Sequence, residues 1–142
     1  MAQGIQPSIG DVIAVAEFRS ALRHFMRRSE KIARQSGLTP QRYSLLMMIK
    51  GAPDGSEQST VTELADRLQL AQSTVTELVR RAESAGLIDR EQSQRDARVA
   101  HLRLTAEGER RLMSSFTALE TERAQLRDAF ASLDGGVVGA AR

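Results

Sequence analysis

Gln94-Arg95-Asp96-Ala97-Arg98-Val99-Ala100-His101-Leu102-Arg103-Leu104-Thr105-Ala106-Glu107-Gly108 is the stretch whose reading decides the fold. It opens on charged, polar residues suited to a hairpin tip. It continues as a strand, with Val99, His101 and Arg103 alternating with Ala100, Leu102 and Leu104. It closes on Thr105, which can cap a helix beginning at Ala106. Upstream, Leu87-Ile88-Asp89-Arg90-Glu91 reads as the partner strand, and Gln92-Ser93-Gln94-Arg95-Asp96-Ala97-Arg98 as the polar connection between the two.

Two short amphipathic helices precede this hairpin. Thr60-Val61-Thr62-Glu63 fits a capping box, in which a Thr hydroxyl and a Glu carboxylate satisfy each other's backbone amides. The helix it opens carries Val61, Leu64, Ala65 and Leu68 on one face. Gln69-Leu70-Ala71-Gln72 leaves room only for a tight turn. A second helix, over about 72–85, turns Val75, Leu78, Val79 and Ala82 inward and stops at Gly86. Two such helices are ordinary in any helical bundle. Followed by a two-stranded hairpin, they predict a winged helix-turn-helix over 38–105: mainly α, with a small β-hairpin wing.

Outward from this region, residues 1–10 lack periodicity and are expected to form a loose arm. A helix over 11–36 is predicted, with Asp11 as its N-cap and Gly37 just past its end; Phe18, Leu22, Phe25 and Ile32 form its apolar stripe. Thr39-Pro40 reads as an N-cap followed by Pro at the first helical position. The next helix holds Tyr43 and Leu45-Leu46-Met47-Met48-Ile49, apolar nearly all round and therefore buried. Ala52-Pro53-Asp54-Gly55-Ser56-Glu57-Gln58-Ser59 is read as loop. A long final helix is predicted over 106–134. Its positions Leu112, Phe116, Leu119, Arg123, Leu126, Phe130 and Leu133 alternate in steps of four and three, a heptad seam that needs something to pack on. The pair 11–36 and 106–134 therefore reads as dimerisation helices flanking the winged helix in a single domain, and 135–142 as a frayed tail.

Composition narrows the function. The 142 residues are 41% hydrophobic, enough for a core, and contain no apolar run of membrane-spanning length. No secretory pattern opens the sequence, so a cytoplasmic protein is expected. There are no cysteines, which excludes disulfides and thiolate metal sites. The only histidines, His24 and His101, lie in different elements. No nucleophile pattern, metal-ligand spacing or Gly-rich phosphate loop accompanies them, so neither an enzyme nor a cofactor or metal requirement is expected.

Net charge is only +2, yet residues 19–42 hold seven basic side chains against the single acid Glu30. Such a field suits double-stranded DNA. In a helix-turn-helix the second helix enters the major groove N-terminus first. Here it offers Gln72, Ser73, Thr74 and Thr76, then Arg80 and Arg81. Gln can read adenine, and Ser or Thr can bond bases or phosphates. On the wing, Arg95 and Arg98 flank Asp96. An arginine at a wing tip can enter a narrow minor groove. Asp96 then fixes the guanidinium's aim. The alternative is a winged helix that serves as a protein-interaction or dimerisation module without touching DNA, a second reading that the modest net charge and Glu77 keep open.

The ordered set Ser73-Thr74-Val75-Thr76-Glu77-Leu78-Val79-Arg80-Arg81, Ala85-Gly86-Leu87-Ile88-Asp89-Arg90, Arg95-Asp96-Ala97-Arg98 and Leu104-Thr105-Ala106-Glu107-Gly108 resembles the MarR (multiple antibiotic resistance regulator) family. The resemblance runs from about residue 11 to 133. It implies a homodimeric regulator whose terminal helices dimerise and which usually represses transcription from a pseudo-palindromic operator. It also implies, in many members, release of DNA by a small aromatic or anionic effector; His24, Arg28, Tyr43 and Met47 lie on helices that would border such a pocket or belong to the core. By position, Gln72, Ser73, Thr74, Thr76 and Arg80 fall on the family's recognition helix, Arg98 on its wing arginine and Asp96 on the supporting acid. Two departures stand out. Glu77 occupies a site that is often neutral or basic in the family. Residues 134–142 stand where the family usually adds another dimerisation helix, so an interface resting more on the long helices is expected. Cysteine-based peroxide sensing, known in one branch, is impossible here.

Overall fold

Caps and left-handed turns set most element ends. The computed structural model describes residues 6–140, and their side chains through residue 133. Its helices are α1 (Ile9–Gln35), α2 (Pro40–Lys50), α3 (Val61–Leu68), α4 (Gln72–Ser84), α5 (Ala106–Ala118) and α6 (Glu120–Ala140). Its strands are β1 (Gln58–Ser59), β2 (Ile88–Gln92) and β3 (Ala100–Leu104). Residues 1–5 of the expected arm and residues 141–142 of the expected tail lie outside the described residues.

The predicted caps of α2 and α3 are present. The Thr39 hydroxyl accepts from the Arg42 amide with Pro40 opening α2, and Thr60 and Glu63 form the full capping box of α3. The start of α1 differs from expectation. Ser8, not Asp11, is the cap: the Asp11 amide donates to Ser8 Oγ at 3.1 Å, and the Ser8 amide donates to Asp11 Oδ2 at 2.9 Å. Asp11 thus closes a reciprocal box from the third helical position, and the helix begins two residues earlier. After α4, Gly86 takes φ +76°. The amides of Gly86 and Leu87 then reach back to the carbonyls of Glu83 and Ala82, a Schellman closure. The tight α3–α4 turn uses the same device with Gln69 at φ +56°.

The sheet has one more strand than the sequence predicts. Its order is β1-β3-β2, with both pairings antiparallel. Ile88 pairs with Leu104 and Gln92 with Ala100, which forms the expected wing. Gln58 and Ser59 pair with Arg103 and Leu102. A two-residue Gln-Ser strand has no period or β-propensity of its own. It exists because β3 offers an edge whose backbone groups need partners.

The chain divides into two compact units, one formed by Met1–Lys31 with Ala118–Arg142, the other by Ile32–Thr117. The core of the second unit joins Leu45, Leu46 and Ile49 of α2 with Leu64 of α3, Val75, Val79 and Ala82 of α4, and Leu102 of β3. Ala33, Leu38 and Leu112 belong to the same cluster, so this unit is wider than the 38–105 region read from the sequence. In the first unit Phe18 meets Phe130 edge-on, with ring centroids 6.0 Å apart. Arg28 Nε donates to Glu122 Oε1 at 3.2 Å.

The single long helix expected over 106–134 is two helices, α5 and α6, with a turn at Leu119. The heptad seam is accordingly divided. Leu112 is fully buried in the core of the second unit, Leu119 is buried in the first, and Phe130 is 59% exposed. Asp134-Gly135-Gly136 does not end the last helix, which continues to Ala140 where fraying was expected. Glycine inside a helix costs about 1 kcal/mol relative to alanine, which weakens a helix without forcing a stop.

Candidate nucleic-acid interface

Burial on α4 separates a packed face from an offered face. Val75, Val79 and Ala82 are fully buried, and Leu78 packs against the same core. Burying each of the larger side chains contributes roughly 1.5–3 kcal/mol and fixes the helix's rotation. Gln72, Ser73, Thr74, Thr76, Arg80 and Arg81 are left exposed. The Gln72 amide group donates to Thr62 Oγ1 at 3.4 Å, and Thr76 Oγ1 donates to the Gln72 carbonyl at 2.8 Å. The first turn of α4 is therefore oriented by its neighbours and still open to solvent.

Glu77, next on that face, is fully engaged. Arg80 Nε donates to its Oε2 at 3.0 Å, and Arg81 Nε to its Oε1 at 3.1 Å. The hydrogen bond from Arg80, followed by that from Arg81, holds the Glu77 carboxyl down at about 2. The acid is ionised at any physiological pH.

The wing is braced as its spacing predicts. The Arg98 amide donates to Asp96 Oδ1 at 3.0 Å, and the Arg98 guanidinium reaches both carboxylate oxygens at 3.2 and 3.3 Å. The Arg98 side chain is nonetheless 90% exposed. These bonds hold the Asp96 carboxyl below its ordinary value, the side-chain bond most strongly. An exposed pair of this kind adds little stability, because water screens it. Its effect is geometric: the guanidinium is held at the tip. Sequence reasoning missed Ser93, whose hydroxyl accepts from the amides of both Arg95 and Asp96. The signal was present as a Ser followed at short range by Asp in a hairpin, an arrangement in which the hydroxyl can cap turn amides.

Thr105 ties the wing to α5. Its amide donates to the Leu87 carbonyl at 3.0 Å, its hydroxyl donates to the Gly86 carbonyl at 2.6 Å, and the same oxygen accepts from the Gly108 amide. It fastens the C-terminus of α4, the outgoing strand and α5 together, and its part is that of a clamp.

The four residues read as an effector pocket fall as follows. Tyr43 and Met47, on α2, pack against the core of the second unit. In the first unit His24 lines a cavity with Glu17, Ser20, Phe25 and Glu122, and Arg28 pairs with Glu122. Among the described residues no group of three or more His, Cys, Asp or Glu side chains is placed to hold a metal ion. Among them, too, no helix is long and apolar enough to cross a membrane.

The helix pair, the hairpin with its braced arginine and the clamp at Thr105 define a winged helix-turn-helix protein. Residues 36–99, which take in the helix pair, β2 and the wing tip, match the MarR family model. The winged helix of this chain is thus similar to that of the MarR family. Solved structures share the fold. A cysteine-to-serine mutant of MarR from E. coli, complexed with operator DNA, is 18% identical, with 86% of this chain and 89% of that one covered at a TM-score of 0.67. MepR of S. aureus in a DNA complex is 22% identical, with 78% and 80% covered at 0.63. AbsC, a MarR family transcriptional regulator from Streptomyces coelicolor, is 22% identical, with 92% and 84% covered at 0.61. No protein of curated function matches the sequence.

Proposed function

We propose that the chain is a sequence-specific DNA-binding transcriptional regulator, acting as a homodimeric repressor on a pseudo-palindromic operator. The observation that carries this reading is the wing: a 90% exposed Arg98 locked in aim by Asp96, on the same unit as a recognition helix whose polar first turn faces solvent. MarR of E. coli and MepR of S. aureus, with which the fold is shared, are seen with DNA. In the dimer, α4 of each protomer enters the major groove through Gln72, Ser73, Thr74 and Thr76, with Arg80 and Arg81 following on the same helix, while Arg95 and Arg98 meet phosphates or the minor groove. Symmetry sets the recognition helices about 34–36 Å apart, one helical turn of DNA.

Dimerisation is supported by the first unit, where Ile9, Val12, Ile13, Val15, Met26 and Phe130 leave roughly half or more of their surface uncovered. So much apolar side chain on α1 and α6 is the mark of an association surface. A small aromatic or anionic effector would find a cleft in the second unit, lined by Gln35, Ser36, Gly37, Arg110, Arg111 and Ser114. The deciding test is selection of duplexes from a random-sequence library by the purified protein. Enrichment of a two-fold symmetric site, with binding that falls steeply as salt rises, upholds the reading. Recovery of no enriched sequence overturns it in favour of a protein-interaction module.

A further inference from the structure

Glu77 lies where an acid should hinder DNA binding, and its geometry gives it a use. Ser73, Glu77 and Arg81 stand four residues apart on α4, as do Gln72, Thr76 and Arg80, so the two stripes run side by side from the first turn. Glu77 therefore cannot avoid DNA that the first turn contacts. Its Oε1 receives guanidinium groups from both Arg80 and Arg81, and its Oε2 receives a second bond from Arg80. Among the described residues neither guanidinium bonds anything else. The spacing recurs on α5, where Glu107 takes Arg110 and Arg111, but there Arg111 also donates to the Gly37 carbonyl and so holds structure together.

We propose that Glu77 determines specificity by holding Arg80 and Arg81 in one cluster of net charge +1, withholding them from indiscriminate phosphate contacts. The inference rests on the DNA-binding reading above. Phosphates are present on every duplex, so a guanidinium that grips one must leave Glu77 or bring its carboxylate against the backbone. Either cost falls on all sequences alike. Base edges differ. An arginine can keep part of its carboxylate pair while donating to guanine O6 and N7. The carboxylate thus weakens non-specific binding more than specific binding. It remains ionised throughout, with its carboxyl held at about 2.

The test is Glu77→Gln, which keeps the side chain's shape and removes its charge. Wild type and variant are titrated over a range of salt against two duplexes: the best site from the random library and a scrambled duplex of equal length. Thermal unfolding verifies that the variant is folded. The expected result is several-fold tighter binding of the scrambled duplex, a logarithmic salt slope steeper by up to about one, and a several-fold lower ratio of specific to non-specific affinity. Unchanged slope and ratio, with wild type selecting a site normally, overturn the role of Glu77 alone. Loss of affinity for the selected site with an unchanged slope on scrambled DNA also overturns it, and makes Glu77 a base reader. Failure of the wild type to select any duplex overturns the DNA-binding reading, and the inference falls with it.

Discussion

A Cβ added to Gly108 would stand 2.2 Å from the Leu87 carbonyl oxygen, well inside contact distance and against backbone that cannot yield. That carbonyl also accepts from the Thr105 amide, so it is fixed from two directions. Gly108→Ala should therefore destabilise the second unit by about 1–3 kcal/mol, as overpacking does, and lower the midpoint of thermal unfolding. An unchanged midpoint would show that the wing–α5 junction is looser than the clamp at Thr105 requires. Arg98 is the opposite case: it contributes contact surface and almost no packing. Arg98→Ala should leave the unfolding midpoint in place and weaken binding to the selected duplex, and Asp96→Asn should do the same to a smaller degree by loosening the brace. Equal affinity for Arg98→Ala and wild type in a gel shift would remove the wing from the interface. The brace was legible, because an Asp two residues before an Arg in a turn has few other partners. The closeness of Gly108 to Leu87 was not, because it depends on where α5 packs.

At the scale of elements, side-chain caps transferred from sequence to structure better than pairing did. Thr60→Ala should cost about 1 kcal/mol by removing half of the α3 capping box, read as a lower urea midpoint with an unchanged slope. Such caps are visible in sequence because both partners lie within three residues of each other. β1 was not, because Gln58 and Ser59 become a strand only against Leu102 and Arg103. The seam from Leu112 to Leu133 hid the turn at Leu119 for a related reason. A four-three alternation describes side-chain spacing and persists across a break in the backbone. The Glu-x-x-Arg-Arg clusters of α4 and α5 carry a pH prediction. Hydrogen bonds to their arginines hold both Glu77 and Glu107 at about 2 instead of the ordinary 4.5. A carboxyl lowered by folding stabilises the folded state fully above its unfolded value. That contribution fades as pH falls from 4.5 toward 2. Acid unfolding followed by far-UV circular dichroism should thus begin below about pH 4.5, and Glu107→Gln should make the acid limb shallower. Because both carboxylates are exposed, high salt should reduce the difference.

For the whole molecule, a net charge of +2 is small for the proposed binding of a polyanion, so the placement of charge matters more than its sum. The sequence marks the basic run over 19–42 and the wing arginines. It does not reveal that Glu77 ties down Arg80 and Arg81, because a three- and four-residue spacing permits that contact without requiring it. The apolar side chains uncovered on α1 and α6 predict a dimer, and light scattering at micromolar concentration should give twice the chain mass of 15.6 kDa. A monomer mass would leave the two-fold operator without its basis. The central claim is that this winged helix reads DNA by sequence. It is tested most directly by selecting duplexes from a random library with the wild-type protein and titrating the enriched site against a scrambled one. The account predicts a two-fold symmetric site with half-sites about 10 base pairs apart, bound at least about 1,000-fold more tightly than the scrambled duplex. Equal affinity for the two duplexes would contradict it.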